Sequence, residues 1–169
     1  MNLSRRAVLG AALAAACAPR GPATPALSTF LAALPRDTAG AEPFQPEALG
    51  GQVVLVTFLA TWCFPCLAEL VVLSRLRRDY GAQGFRNVLV GMDLEGRKVL
   101  EPFALGYELP GPLVVGDDAL RAGETPFGRI RELPARVLFG RDGRVVVGFS
   151  GVATWDDLSR VVAEELQKH

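Results

Sequence analysis

The run VVLVTFLA, 53–60, is apolar and largely β-branched without a break, the pattern of a strand buried on both faces. Directly after it the period changes. Across 64–80, Leu70, Leu73, Leu76 and Tyr80 recur at helical spacing against Arg75, Arg77, Arg78 and Asp79, which predicts an amphipathic helix. NVLVGMD, 87–93, predicts a second buried strand, 97–107 a weaker helix, and GPLVVG a short strand at 112–115. A turn of helix is expected within 118–127. ARVLFG and RVVVGF flank Asp142-Gly143, a hairpin signature, because Asp-Gly suits a tight turn between twisted strands. Thr154 is placed to cap a last helix, with Asp156 and Asp157 near its positive end. Residues 27–50 hold Pro35, Gly40, Pro43, Pro46 and Gly50-Gly51 and predict a short helix or strands in an irregular lead-in. The order β-α-β-α-β, hairpin, helix predicts an α/β fold, a central mixed β-sheet flanked by helices.

Composition narrows the class. Half of the 169 residues are apolar, and 18 basic residues balance 18 acidic ones. With no basic block, nucleic acid is not an expected partner. One domain of this size buries about two-thirds of its unfolded surface and needs no disulfide to fold.

The first residues differ from the rest. Arg5 and Arg6 precede the apolar run Ala7–Ala16, too short to span a bilayer and typical of an export signal. Ser4-Arg5-Arg6 before Ala7-Val8-Leu9 resembles a twin-arginine leader. Cys17, just after Ala14-Ala15-Ala16, resembles the lipidated cysteine of bacterial lipoproteins, although Ala14 stands where their leucine is usual. The same alanines also fit plain signal cleavage. The expected organisation is an export signal over 1–17, a Pro/Ala-rich tether and lead-in over 18–40, and the domain over 41–169. The setting is then the exported, periplasmic side of the cell envelope, with a lipid anchor at Cys17. A dithiol there stays reduced only if electrons reach it.

The chemistry sits at Trp62-Cys63-Phe64-Pro65-Cys66, where the buried strand gives way to the helix. Cys63 at the helix start faces unpaired N–H groups and the positive dipole end, which favour a thiolate. Pro65 falls in the first turn, where a missing N–H costs nothing. Cys66 lies three residues on, on the same side of the helix. Cys63 is thus the expected attacker and Cys66 the resolver. A metal site would need more ligands, and the only histidine is His169; neither metal nor cofactor is expected. A structural disulfide in a non-catalytic binding module is the alternative reading.

Those residues resemble the thioredoxin superfamily, and the wider pattern is similar to its TlpA/ResA branch of exported bacterial thiol–disulfide oxidoreductases. FLATWCFPC and PARVLFGRDG carry the resemblance. It implies a thioredoxin-like fold and a redox-active Cys63–Cys66 disulfide. It makes Pro134 a cis-proline beside that disulfide, preceded by Leu133, whose backbone pairs with a client chain. Trp62, Phe64, Pro65 and Leu133 are the expected client-binding residues. The implied partners are disulfide-containing exported clients and a membrane or periplasmic thiol donor. Reduction is the expected direction, since Phe64 and Pro65 add no hydrogen bond or charge that would make the pair a strong oxidant.

Three departures matter. Thr57 stands where thioredoxin has a buried aspartate. The two threonines that follow the family's proline are Ala135 and Arg136, a change expected to alter substrate fit. Phe64 can serve as a docking contact or merely as exposed filler. Glu69, three residues past Cys66, matches a family glutamate. It shares an apolar stripe with Val72, Leu73, Leu76 and Tyr80, and no cation stands at its i+3 or i+4 position. A carboxyl there is expected to be partly desolvated and to exchange a proton with Cys66.

Overall fold

In the computed structural model, which describes residues 26–168, six strands make one sheet. They are β1 (Thr38–Ala39), β2 (Val53–Leu59), β3 (Phe85–Gly91), β4 (Leu113–Val115), β5 (Ala135–Phe139) and β6 (Val145–Ser150). Their spatial order is β1-β4-β3-β2-β5-β6. Strands β2, β3 and β4 run parallel, and β1, β5 and β6 pair antiparallel. The helices are α1 (Leu27–Ala32), α2 (Phe64–Tyr80), α3 (Arg97–Gly106), α4 (Asp118–Ala122) and α5 (Trp155–Leu166).

The uninterrupted apolar run reads as it does because β2 is central and covered twice. Val53, Leu55 and Leu59 join Leu70, Leu73 and Leu76 of α2 and Leu158 and Val162 of α5 in one core. Val54, Val56 and Phe58 point the other way, to Leu27, Phe30 and Leu31 of α1 and Leu120 of α4. The expected mixed sheet flanked by helices is therefore the observed fold.

The long helix spans the predicted 64–80. The second strand is shifted back to Phe85–Gly91, because Asp93 leaves the ladder to bind the loop after β2 through Thr61. The helix expected within 118–127 ends at Ala122, closed by Gly123 with φ 80°, a left-handed position that glycine adopts without strain. At the start of α5, Thr154 and Asp157 cap one another's backbone N–H groups.

The largest correction concerns the lead-in. The sequence reading began the domain at 41, yet Leu27, Phe30, Leu31 and Leu34 are buried. The Phe30 ring packs edge-on against Phe127 and Phe139, with centroids 4.9 and 5.0 Å apart. The packed body thus takes in residues from Leu27 onward. Six helical residues are too few for a period to show, which is why the pattern concealed it. Arg5, Arg6, Cys17, the tether up to residue 25 and His169 lie outside the described residues. Among the described residues, no helix is long and apolar enough to cross a membrane.

Candidate active site

Strand β2 delivers the chain to the site. After Leu59 and Ala60 the backbone turns, and the Cys63 N–H donates to the Ala60 carbonyl at 3.0 Å. Asp93 fixes this turn, accepting the Thr61 N–H at 3.1 Å and its hydroxyl at 2.6 Å. Cys63 is the N-cap of α2, and its sulfur accepts the Cys66 N–H at 3.3 Å. That N–H is one of the donors a helix start leaves unpaired. Pro65 sits in the first turn, as expected, and the two cysteines are joined in a disulfide with Cα atoms 5.2 Å apart.

Exposure divides the motif. Trp62 and Phe64 are 67% and 82% exposed, whereas Cys63 and Cys66 are 5% and 2% exposed. The sulfurs therefore lie beneath an apolar rim. Two exposed residues that the sequence reading did not single out stand in neighbouring loops. Leu94 follows Asp93, which binds Thr61, and Val152 follows Gly151, whose N–H donates to the Pro134 carbonyl at 2.9 Å.

The second wall comes from the start of β5. Ala135 pairs with Phe58 near the end of β2, so the preceding Pro134 is brought to the pole that carries the dithiol. The Leu133–Pro134 peptide is cis, and Pro134 is buried. Leu133 is half-buried and packs against both cores.

Glu69 lies inside, 3% exposed. Its Oε2 accepts from Nη2 of Arg136, whose other terminal nitrogen donates to the Gly151 carbonyl at 2.9 Å. Arg136 stands directly opposite Thr57 in the β2–β5 pairing. Thr57 Oγ1, Glu69 Oε1 and Arg136 Nε are buried without a partner. Burial pushes the Glu69 carboxyl above the ordinary carboxylate range, although the hydrogen bond and charge of Arg136 pull it back.

The structure gives Arg136, one of the two residues that replace the family's threonines, an internal role: it is 1% exposed and turned to Glu69. The neighbour rule for helices could not find a partner 67 residues away. One signal was available, an arginine inside the otherwise apolar ARVLF, since a charge in a buried strand requires a partner. Among the described residues, no group of three or more His, Cys, Asp or Glu is arranged to hold a metal ion.

A sheet of this topology with a dithiol capping its central helix defines a thioredoxin-like domain. No family model matches the chain. The ResA thiol-disulfide oxidoreductase of Geobacillus kaustophilus is 30% identical over 112 residues, 65% of this chain and 61% of that protein. The secreted thiol-disulfide isomerase of Corynebacterium glutamicum superposes with a TM-score of 0.64 at 19% identity, over 80% of this chain and 86% of that one. The exposed lipoprotein thioredoxin of Streptococcus pneumoniae gives 0.60 at 17% identity, over 75% and 96%. The chain is thus thioredoxin-like in fold, and in sequence it is similar to the ResA thiol-disulfide oxidoreductases. It spans about 61% of the length of the first curated relatives it matches.

Proposed function

We propose that this protein is a thiol–disulfide oxidoreductase that reduces disulfides in exported client proteins through Cys63 and Cys66. The observation that carries the reading is the cap itself. Cys63 sulfur receives the Cys66 N–H at the start of α2, while Cys66 is buried one turn inward. In the reduced enzyme those donors favour a Cys63 thiolate. The thiolate attacks one sulfur of a client disulfide, forming a mixed disulfide and releasing the other client sulfur as a thiolate. Cys66 then loses its proton and attacks Cys63 sulfur. The second client thiolate leaves, and Cys63–Cys66 is oxidised by the two electrons the client has gained. A thiol donor must restore the pair.

The other site residues have roles around this exchange. Trp62, Phe64 and Pro65 meet the client beside Cys63, Pro134 packs beside the disulfide, and the Leu133 backbone aligns the incoming chain. Glu69 takes the Cys66 proton. The domain is held on the periplasmic side of the envelope through a lipid on Cys17, a form that the name of the pneumococcal neighbour describes for that protein.

Titration in glutathione buffers tests the centre. The expected potential is near the thioredoxin value of about −270 mV, and Cys63 should alkylate readily after mild reduction. A potential well below about −300 mV with an inert Cys63 would make the disulfide structural and the domain a binding module. Cys66→Ser should accumulate mixed disulfides with clients while Cys63→Ser accumulates few; equal trapping would reverse or void the roles. For the anchor, the intact mass of membrane-extracted protein should carry acyl additions at Cys17. Recovery of an unmodified, soluble chain would remove it.

A further inference from the structure

Resting on the reading of Cys63–Cys66 as a redox pair, we propose that Arg136 is a positioning residue for the resolving step. It holds the Glu69 carboxylate in place and charged, one turn beyond Cys66, so that Glu69 can accept the Cys66 proton. This is a property of the present chain, because the resembled family carries a threonine at this point after its proline.

The guanidinium side chain of Arg136 is 0% exposed, and the Glu69 side chain is 2% exposed. A guanidinium this deep must be paired. The acid it meets is Glu69, through Nη2 and Oε2, which leaves Oε1 without a hydrogen bond. A carboxylate fastened by one oxygen with its other oxygen unbonded is arranged to receive a proton. Glu69 follows Cys66 by three residues on the buried stripe of α2, a spacing that makes side chains neighbours.

The surroundings leave Arg136 as the electrostatic influence on this carboxyl. From α2 comes Cys66, and from β2 the Thr57 hydroxyl, which is neutral. From β6 comes the Phe149 ring, its centroid 5.1 Å from the guanidinium carbon. Helix α5 supplies Leu158 and Val162 to this core; its buried acid, Glu165, lies against Gly140 beyond the far end of β5. Asp93, the other buried carboxylate at the dithiol end, is taken up by Thr61. Burial alone would favour the neutral acid, which cannot accept a proton; a fixed positive charge in contact favours the carboxylate. The same guanidinium ties down Gly151, whose N–H is bonded to Pro134. Base and proline loop are thus held by one side chain.

The test follows thionitrobenzoate release when reduced protein meets Ellman's disulfide reagent. The first release marks attack by Cys63, and the second marks resolution by Cys66. Across about pH 5 to 9, Arg136→Met should leave the first release unchanged and slow the second by roughly tenfold or more near neutrality. Its pH midpoint should move up. Arg136→Lys, which keeps the charge, should recover most of the rate. Glu69→Gln should be as slow as Arg136→Met, and the double variant no slower than either. A second release in Arg136→Met with the wild-type pH profile would overturn the proposal.

A measurement on the wild-type protein covers the case in which Arg136→Met does not fold. Carboxyl-carbon NMR of reduced protein labelled at glutamate should show Glu69 ionised at about pH 7. A protonated Glu69 there would overturn the proposal equally. The absence of any second release from wild type would remove the redox reading and this proposal together. A normal second release that ignores Arg136 removes this proposal alone.

Discussion

Two helix glutamates are buried in this domain, Glu69 at 3% and Glu165 at 6% exposure, and each has one basic partner. The partners could hardly differ more. Glu69 is met by Arg136 from a strand 67 residues away, itself fully enclosed. Glu165 is met by Lys168, three residues along at the end of the chain, whose side chain is 65% exposed. Water can replace an exposed ammonium, so Glu165 does not depend on its lysine. Nothing replaces a buried guanidinium. The contrast leads to the expectation that the depth of the cation, more than that of the acid, decides how much such a pair matters. At the dithiol end, burial pushes the Glu69 carboxyl up and the enclosed Arg136 pulls it back.

The largest effect expected from that contrast is on stability. Arg136→Met should cost about 3–5 kcal/mol, because it strands a carboxylate in the core. Glu69→Leu/Arg136→Met, which removes both charges, should recover most of that loss. Urea midpoints of the three proteins decide it. If Arg136→Met lies within about 1 kcal/mol of wild type, the pair is not the buried lock the geometry implies.

What could be read in the sequence follows the range of the forces involved. Cys63, Cys66 and the helix they open were legible because strand, cap and period act over a few neighbouring residues. Glu69 was legible as an acid on an apolar stripe, and its burial bears out that placement. The hairpin at Asp142-Gly143 was legible from its turn, and Gly143 takes φ 76°. Its partners across space were not legible. That Glu69 meets Arg136 depends on β5 lying beside β2 with Thr57 opposite Arg136, a register that the local pattern does not state. The burial of helix α1 was not legible for a related reason: it rests on Phe127 and Phe139, distant in the chain.

A smaller effect separates the glutamates by pH. Burial raises Glu69 above its ordinary value of 4.5 in the folded state. Below 4.5 the carboxyl is protonated in both states and burial costs little. As pH rises from there through the folded value, the unfolded chain ionises more readily than the folded one. The stability that Glu69 contributes is therefore lost upward through that window and is level beyond it. Wild type should lose ground to Glu69→Gln across this window when urea midpoints are compared. In Arg136→Met the decline should be deeper and extend to higher pH. A difference curve that is flat, or that rises with pH, would show that Arg136 outweighs burial.

The smallest effect belongs to the other glutamate. Lys168→Met removes an ammonium that donates to Glu165 Oε2 at 2.6 Å, a contact as short as a good charge-assisted bond. Distance alone would rank it high. Exposure reverses that ranking, because a lysine in water gives up hydration and rotamer freedom to make the contact, and water can satisfy the same oxygen when it is gone. The unfolding midpoint should move by roughly a tenth of the Arg136→Met shift or less. Added salt should not widen the difference, and thionitrobenzoate release should keep wild-type rates. A loss comparable with that of Arg136→Met would mean that the depth of the acid, not the depth of its cation, governs these pairs. The special standing given to Arg136 beside the dithiol would then lose its physical basis.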